Sequence, residues 1–158
     1  MAMTEQERIE AAMAMGEEEK NMILTMAAKQ DDQPVSEAMP SQATVGRIID
    51  NTTTEVSGMF VGVNDGIHNA NGTAKVILLS DGSKVLRLEE FKATNGPDLY
   101  VYLATDKTAS DYVSLGRLKG NVGNQNYEIP ANVDLAKHDT VLIWCQAFSV
   151  LFGSAELR

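Results

Sequence analysis

The chain has 158 residues, of which 44% are hydrophobic and 22% charged, with a formal net charge of -9. That length suits one domain plus an appendage, and the composition excludes a largely disordered or collagen-like chain. The acidic balance argues against nucleic acid or an anionic membrane as partner, because both require clustered Lys and Arg.

Before Pro40 the sequence is dominated by Glu, Met, Ala and Gln, all good helix formers. Thr4-Glu5-Gln6-Glu7 fits a capping box that opens a helix. Ile9 and Met13, then Met22, Ile23, Met26 and Ala27, form apolar stripes at helical spacing, and Gly16 divides two short helices. Residues 1–30 are therefore read as a helical appendage. Its stripe is expected to bury against the sheet or against a second copy of the chain, since short isolated helices are marginal in water. Residues 31–45 carry two prolines and little periodicity, the pattern of a linker.

From residue 46 to 158 the pattern changes to short β-rich runs. Strands are expected over 52–63, 74–79, 83–88, 99–104, 112–118, 126–129, 140–148 and 151–157. Asp65-Gly66, Asn71-Gly72, Asp81-Gly82 and Asn95-Gly96-Pro97-Asp98 punctuate them, and Asp81-Gly82 predicts a tight hairpin because Asp-Gly tolerates positive φ. Without intervening long helices to make parallel crossovers, the expected fold is all-β: an antiparallel sandwich or barrel-like domain with an N-terminal helical appendage. No stretch approaches the length of a membrane span, and the first residues lack the apolar core of a signal peptide.

The single cysteine, Cys145, excludes an internal disulfide. On a strand over 140–148, Val141, Ile143, Cys145 and Ala147 share one face while Leu142, Trp144, Gln146 and Phe148 share the other. Both faces are largely apolar, as in a strand buried on two sides. Two readings of Cys145 stand side by side: a small core residue, and the one redox thiol of the chain. His68 lies in a turn-rich loop expected to face solvent, where imidazole suits haem iron or another metal. A Cys145–His68 haem site requires the fold to bring the two together. His138, in a second turn, is read as a surface or hydrogen-bonding residue.

Asp65, Asp81, Asp98 and Asp111 are read as turn formers rather than calcium ligands, and no metal site is expected. The carboxamide-rich run of residues 119–127, with Tyr127 as a stacking surface, suits either sugar or peptide binding or simple loop closure. No nucleophile elbow, phosphate loop or zinc-protease motif is present, so the chain is not expected to be an enzyme on its own.

The ordered runs Asp65-Gly66-Ile67-His68-Asn69-Ala70-Asn71-Gly72-Thr73-Ala74, Val85-Leu86-Arg87-Leu88-Glu89-Glu90-Phe91, Asn95-Gly96-Pro97-Asp98-Leu99-Tyr100-Val101-Tyr102-Leu103, Leu115-Gly116-Arg117-Leu118-Lys119-Gly120-Asn121 and Val141-Leu142-Ile143-Trp144-Cys145 together resemble the DM13 domain family. The resemblance spans roughly residues 57–157. It implies an all-β extracytoplasmic or cell-surface electron-transfer module. The family's characteristic cysteine falls on Cys145, as a free redox thiol or a haem ligand, and the resemblance implies a redox partner protein or cell-surface protein. The helical appendage lies outside the family pattern. The rival reading is a non-catalytic binding or adhesion module in which Cys145 only packs.

Overall fold

The computed structural model describes residues 16–40, 56–63, 65 and 68–158. The Thr4–Glu7 capping box and the Ile9/Met13 stripe lie outside the described residues. Helix α1 spans Glu17–Ala28. It buries Leu24 and Ala27, and Leu24 joins the main core, whereas Met22 and Met26 face solvent. The expected stripe through Met22 and Met26 is thus rotated out. Leu24 is the better anchor because its compact branched side chain fills core space that a flexible Met does not need to enter.

Among the described residues nine strands follow in chain order: β1 (Val56–Met59), β2 (Val61–Gly62), β3 (Ala70–Leu78), β4 (Lys84–Ala93), β5 (Leu99–Ala104), β6 (Tyr112–Arg117), β7 (Gln125–Ile129), β8 (Thr140–Cys145) and β9 (Val150–Glu156). They form two antiparallel sheets, one in the order β1-β3-β4-β7 and the other β2-β9-β8-β5-β6. The architecture is an all-β sandwich with a helical appendage, and no barrel closes. The chain changes sheets at Phe60, whose buried ring meets Phe91 edge-on at 5.2 Å. Between the sheets, Leu86, Leu88, Phe91, Val101, Leu103, Val141, Ile143, Cys145 and Phe152 make the core.

The β3–β4 hairpin turns at Asp81-Gly82 as its sequence dictates. Gly82 has φ 89°, and the Asp81 carboxylate accepts the Ser83 amide at 2.9 Å. Asn71-Gly72 is different. It lies inside β3, where Gly72 (φ 115°) forms a bulge and its carbonyl accepts the Phe60 amide. A glycine pair that suits a turn also suits a bulge, because both need positive φ without a side chain. Strand β8 likewise ends at Cys145, and residues 146–149 turn, with Ser149 at φ 54°.

Residues 31–38, read from sequence as part of a linker, form a strap on the loop between β6 and β7. The Val35 and Glu37 amides donate to the carbonyls of Val122 and Asn124 at 2.8 and 2.9 Å. Lys119 Nζ donates to the Glu37 carboxylate at 2.8 Å, and Arg87 Nη1 donates to the Glu37 carbonyl at 3.1 Å. The Lys119 hydrogen bond is the main reason the Glu37 carboxyl sits below its ordinary value. Because the folded value is the lower one, this grip is present above the ordinary Glu range and is lost as pH falls through the lowered value.

Gly123 shows how close the strap lies: with φ 114°, an added Cβ would stand 1.8 Å from the Val35 carbonyl oxygen. Gly123→Ala is therefore expected to lower the unfolding free energy in urea by at least ~2 kcal/mol. Gly82→Ala, at a positive φ with nothing within 4 Å, should cost about 1 kcal/mol. Equal losses in the two variants would remove the strap contact as the cause.

Candidate functional site

Cys145 closes strand β8, opposite Leu99 on β5 and Val150 on β9. The β-alternation holds: Val141, Ile143 and Cys145 point into the inter-sheet core, while Leu142 and Trp144 join an outer cluster with Tyr100, Tyr102 and Ala104. The thiol has 0% exposure. Burial pushes its pKa up to about 11, and the Asp98 carboxylate adds to the rise. The backbone amides of Phe148, Asp98 and Ala147 act on the sulfur in the opposite sense. Desolvation wins over three amide dipoles because a thiolate has little charge density to reward them and much hydration to lose.

Asp98 is itself 1% exposed and pairs with Arg117 Nη2 at 3.1 Å, while its carbonyl accepts the Gln146 amide at 3.0 Å. The loop before β5 and the turn after β8 are thus bolted together around the sulfur. Sequence reasoning placed Asp98 among the turn formers and missed this role. That role follows from the pairing of β5 with β8, which sets Asp98, the residue before β5, beside the end of β8.

His68 is buried, contrary to the expectation that its loop presents it to solvent. Its Nδ1 lies 2.5 Å from Asp65 Oδ2, its amide donates to Asp65 Oδ1 at 2.6 Å, and its ring stands 4.7 Å from that of Phe152. Phe152 draws it in, because an imidazole with one nitrogen satisfied behaves as an aromatic surface. Its Nε2 is buried, with no hydrogen-bond partner among the described residues. His138 Nε2 meets Asp111 Oδ1 at 3.0 Å, and this contact is the largest reason the Asp111 carboxyl is lowered. Asp81 caps its own turn through Ser83. Among the described residues no cluster of three His, Cys, Asp or Glu side chains could hold a metal.

Cys145 and His68 do not share an open pocket among the described residues. The sulfur is enclosed by Leu99, Val150 and the 146–149 turn, and the imidazole is set against Phe152. Haem does not fit the sulfur as packed. An iron–sulfur bond would require an exposed face on an atom that has none, in an interior as dense as an organic crystal.

The carboxamides of the 119–127 run are spent internally. Asn121 bonds Ala93 and Asp32, Asn124 accepts the Glu90 amide, Asn126 bonds Arg87 and Ala38, and buried Gln125 bonds Gly120 and the Tyr127 hydroxyl. Asn121 and Asn126 thereby hold the strap, while Asn124 and Gln125 tie the loop to β4 and to itself.

A family model described as "Electron transfer DM13" matches residues 60–157. The chain belongs to the DM13 family. The match begins at Phe60, where the chain changes sheets, and runs to the last residues of the core, so it covers strands β2 to β9 and leaves α1, the strap and edge strand β1 outside. No curated protein and no solved structure matches the chain. Among the described residues no helix is long and apolar enough to cross a membrane.

The enclosure of Cys145 makes a kinetic prediction. A thiol with a pKa of about 11 should react with iodoacetamide at neutral pH at least about two orders of magnitude more slowly than an exposed cysteine of ordinary pKa near 8.5. Denaturation should restore the ordinary rate. Labelling of the native protein at the exposed-thiol rate, followed by mass spectrometry, would contradict this placement.

Proposed function

We propose that the chain is an electron-transfer domain in which the Cys145 thiol changes oxidation state, working in an extracytoplasmic or cell-surface setting with a redox partner protein. The observation that carries this reading is the enclosure of a single thiol, on the strand that matches the family, by the Asp98 loop and the 146–149 turn. Thiol–disulfide exchange needs a thiolate and room for a second sulfur. Neither condition is met at Cys145. Removal of one electron needs neither, since the S–H can lose its electron to an oxidised partner and its proton to the Asp98 carboxylate, whose charge already acts on the sulfur and which pairs with the half-exposed Arg117. The domain contributes a fixed, dry site that protects the sulfur from overoxidation, which follows thiolate character and exposure.

The complete burial of Cys145 also favours a second reading, a binding module in which the residue only packs. Film voltammetry separates the two. The first reading expects a component that is present in the native protein and absent from Cys145→Ser, with unfolding curves verifying that the variant folds. Below about pH 11 the reduced sulfur is protonated and the oxidised one is not, so raising pH makes reduction harder. The midpoint should therefore fall by roughly 59 mV per pH unit and flatten above that value. A response identical in Cys145→Ser, or none in either protein, would leave the binding module standing.

A further inference from the structure

The outer face of the five-stranded sheet carries an aromatic array that the core does not require. Tyr102 stacks on Tyr112 with centroids 4.1 Å apart and planes 15° from parallel, and lies 6.4 Å from Trp144 at 28°. Trp144 is the residue before Cys145, directed to the opposite face of β8. Tyr102 is 1% exposed, whereas Tyr112 on edge strand β6 is 42% exposed. A continuous series of π-systems therefore runs from the strand that holds the thiol to the molecular surface. We propose that Trp144, Tyr102 and Tyr112 form a one-electron relay between the Cys145 strand and a partner docked at Tyr112.

Aromatic ladders also stabilise sheets by packing alone, but two features exceed that role. A buried hydroxyl must be satisfied, and Phe would fill the same space without that cost. Tyr102 keeps its hydroxyl and receives Gln146 Nε2 at 2.9 Å, from the residue directly after Cys145. Tyr100 is 6.2 Å from Tyr102 and offers a competing branch, yet Arg117 stands 5.1 Å over its ring. A cation on the ring face disfavours positive charge there, so the branch through Tyr100 is closed and the one through Tyr112 stays open.

The proposal rests on the electron-transfer reading above and adds the route. Each hop moves one electron outward. The docked partner, a one-electron acceptor such as a high-potential metal complex, oxidises exposed Tyr112, whose phenol gives its proton to water; the Tyr112 radical takes an electron from Tyr102, and the Tyr102 radical takes one from Trp144. Each phenol takes a proton back from the water at Tyr112 once it is reduced, and the Trp144 radical cation keeps its N–H and is restored by the electron of the Cys145 thiol, whose proton goes to the Asp98 carboxylate, so the three rings end unchanged.

Flash photolysis of the full chain with ruthenium tris-bipyridine and a sacrificial electron acceptor tests the route. Trp144 is the only tryptophan, so the tryptophanyl radical absorption belongs to it alone. In the native protein that band should decay as the tyrosyl band rises. Tyr102→Phe should prolong the tryptophanyl radical severalfold and abolish the coupled tyrosyl rise. Tyr112→Phe, a conservative change at an exposed edge that leaves the core intact, should reduce the final tyrosyl yield, and Tyr100→Phe should leave both signals unchanged. Unaltered tryptophanyl decay in both Tyr102→Phe and Tyr112→Phe, or an equal effect from Tyr100→Phe, would overturn the relay. Cys145→Ser separates the two claims, since it should remove the voltammetric component while leaving the optical coupling of Trp144 and Tyr102 intact.

Discussion

Strand β8 runs between β5 and β9, and both of its faces are covered. Val141, Ile143 and Cys145 meet the opposing sheet, while Leu142 and Trp144 lie under the outer aromatic cluster. Because a strand alternates its side chains, this double cover gives consecutive residues two different dry environments. The sulfur enters an aliphatic interior, and the indole beside it enters a π-rich face that reaches solvent. Its neighbour β5, buried at every position from Leu99 to Ala104, makes the same division between Val101 and Tyr102. The chemistry available to the domain follows from this two-sided burial.

Two opposing effects act on the sulfur, and their balance decides its ground state. Amides from Phe148, Asp98 and Ala147 favour a thiolate, while burial and the Asp98 charge oppose it. The rise to about 11 corresponds to about 3 kcal/mol against ionisation. Converging amides therefore do not make a nucleophile here. The turn and loop that carry those amides are held by a separate bond, from the Gln146 amide to the Asp98 carbonyl, and the Asp98 carboxylate ties that loop to Arg117.

Much of the sandwich was legible in the sequence because its strands alternate and its hairpin at Asp81-Gly82 uses turn chemistry with one solution. The two faces of β8 could be assigned residue by residue for the same reason. What was not legible depends on distant partners. Residues 31–38 look aperiodic because their backbone groups bond to the 121–124 loop instead of to a ladder of their own. Met22 and Met26 are as apolar as Leu24, and only the surface they dock against selects between them. His68 carries no sign of burial until Phe152, more than eighty positions away, is brought beside it. Asn71-Gly72 has the composition of a turn, and only the bond from Phe60 reveals a bulge. The thiol was found from sequence, whereas Asp98 and the array of Tyr102 and Tyr112 around its strand were not, because cross-strand neighbours appear only once register is known.

A ligand and an electron make opposite demands on a protein interior. Ligand binding needs an opening with unspent polar groups, and the groups that suggested one are already committed: Asn121, Gln125 and Asn126 hold the loop and the strap, and Lys119 holds Glu37. Electron movement needs no opening, only close π-systems and a group whose reduced form is stable. Packing that encloses Cys145 bars large reagents, water and peroxide from the sulfur alike. The strap acts on the same committed segment: by tying residues 31–38 to the loop between β6 and β7, it holds Lys119 and the chain that follows Arg117.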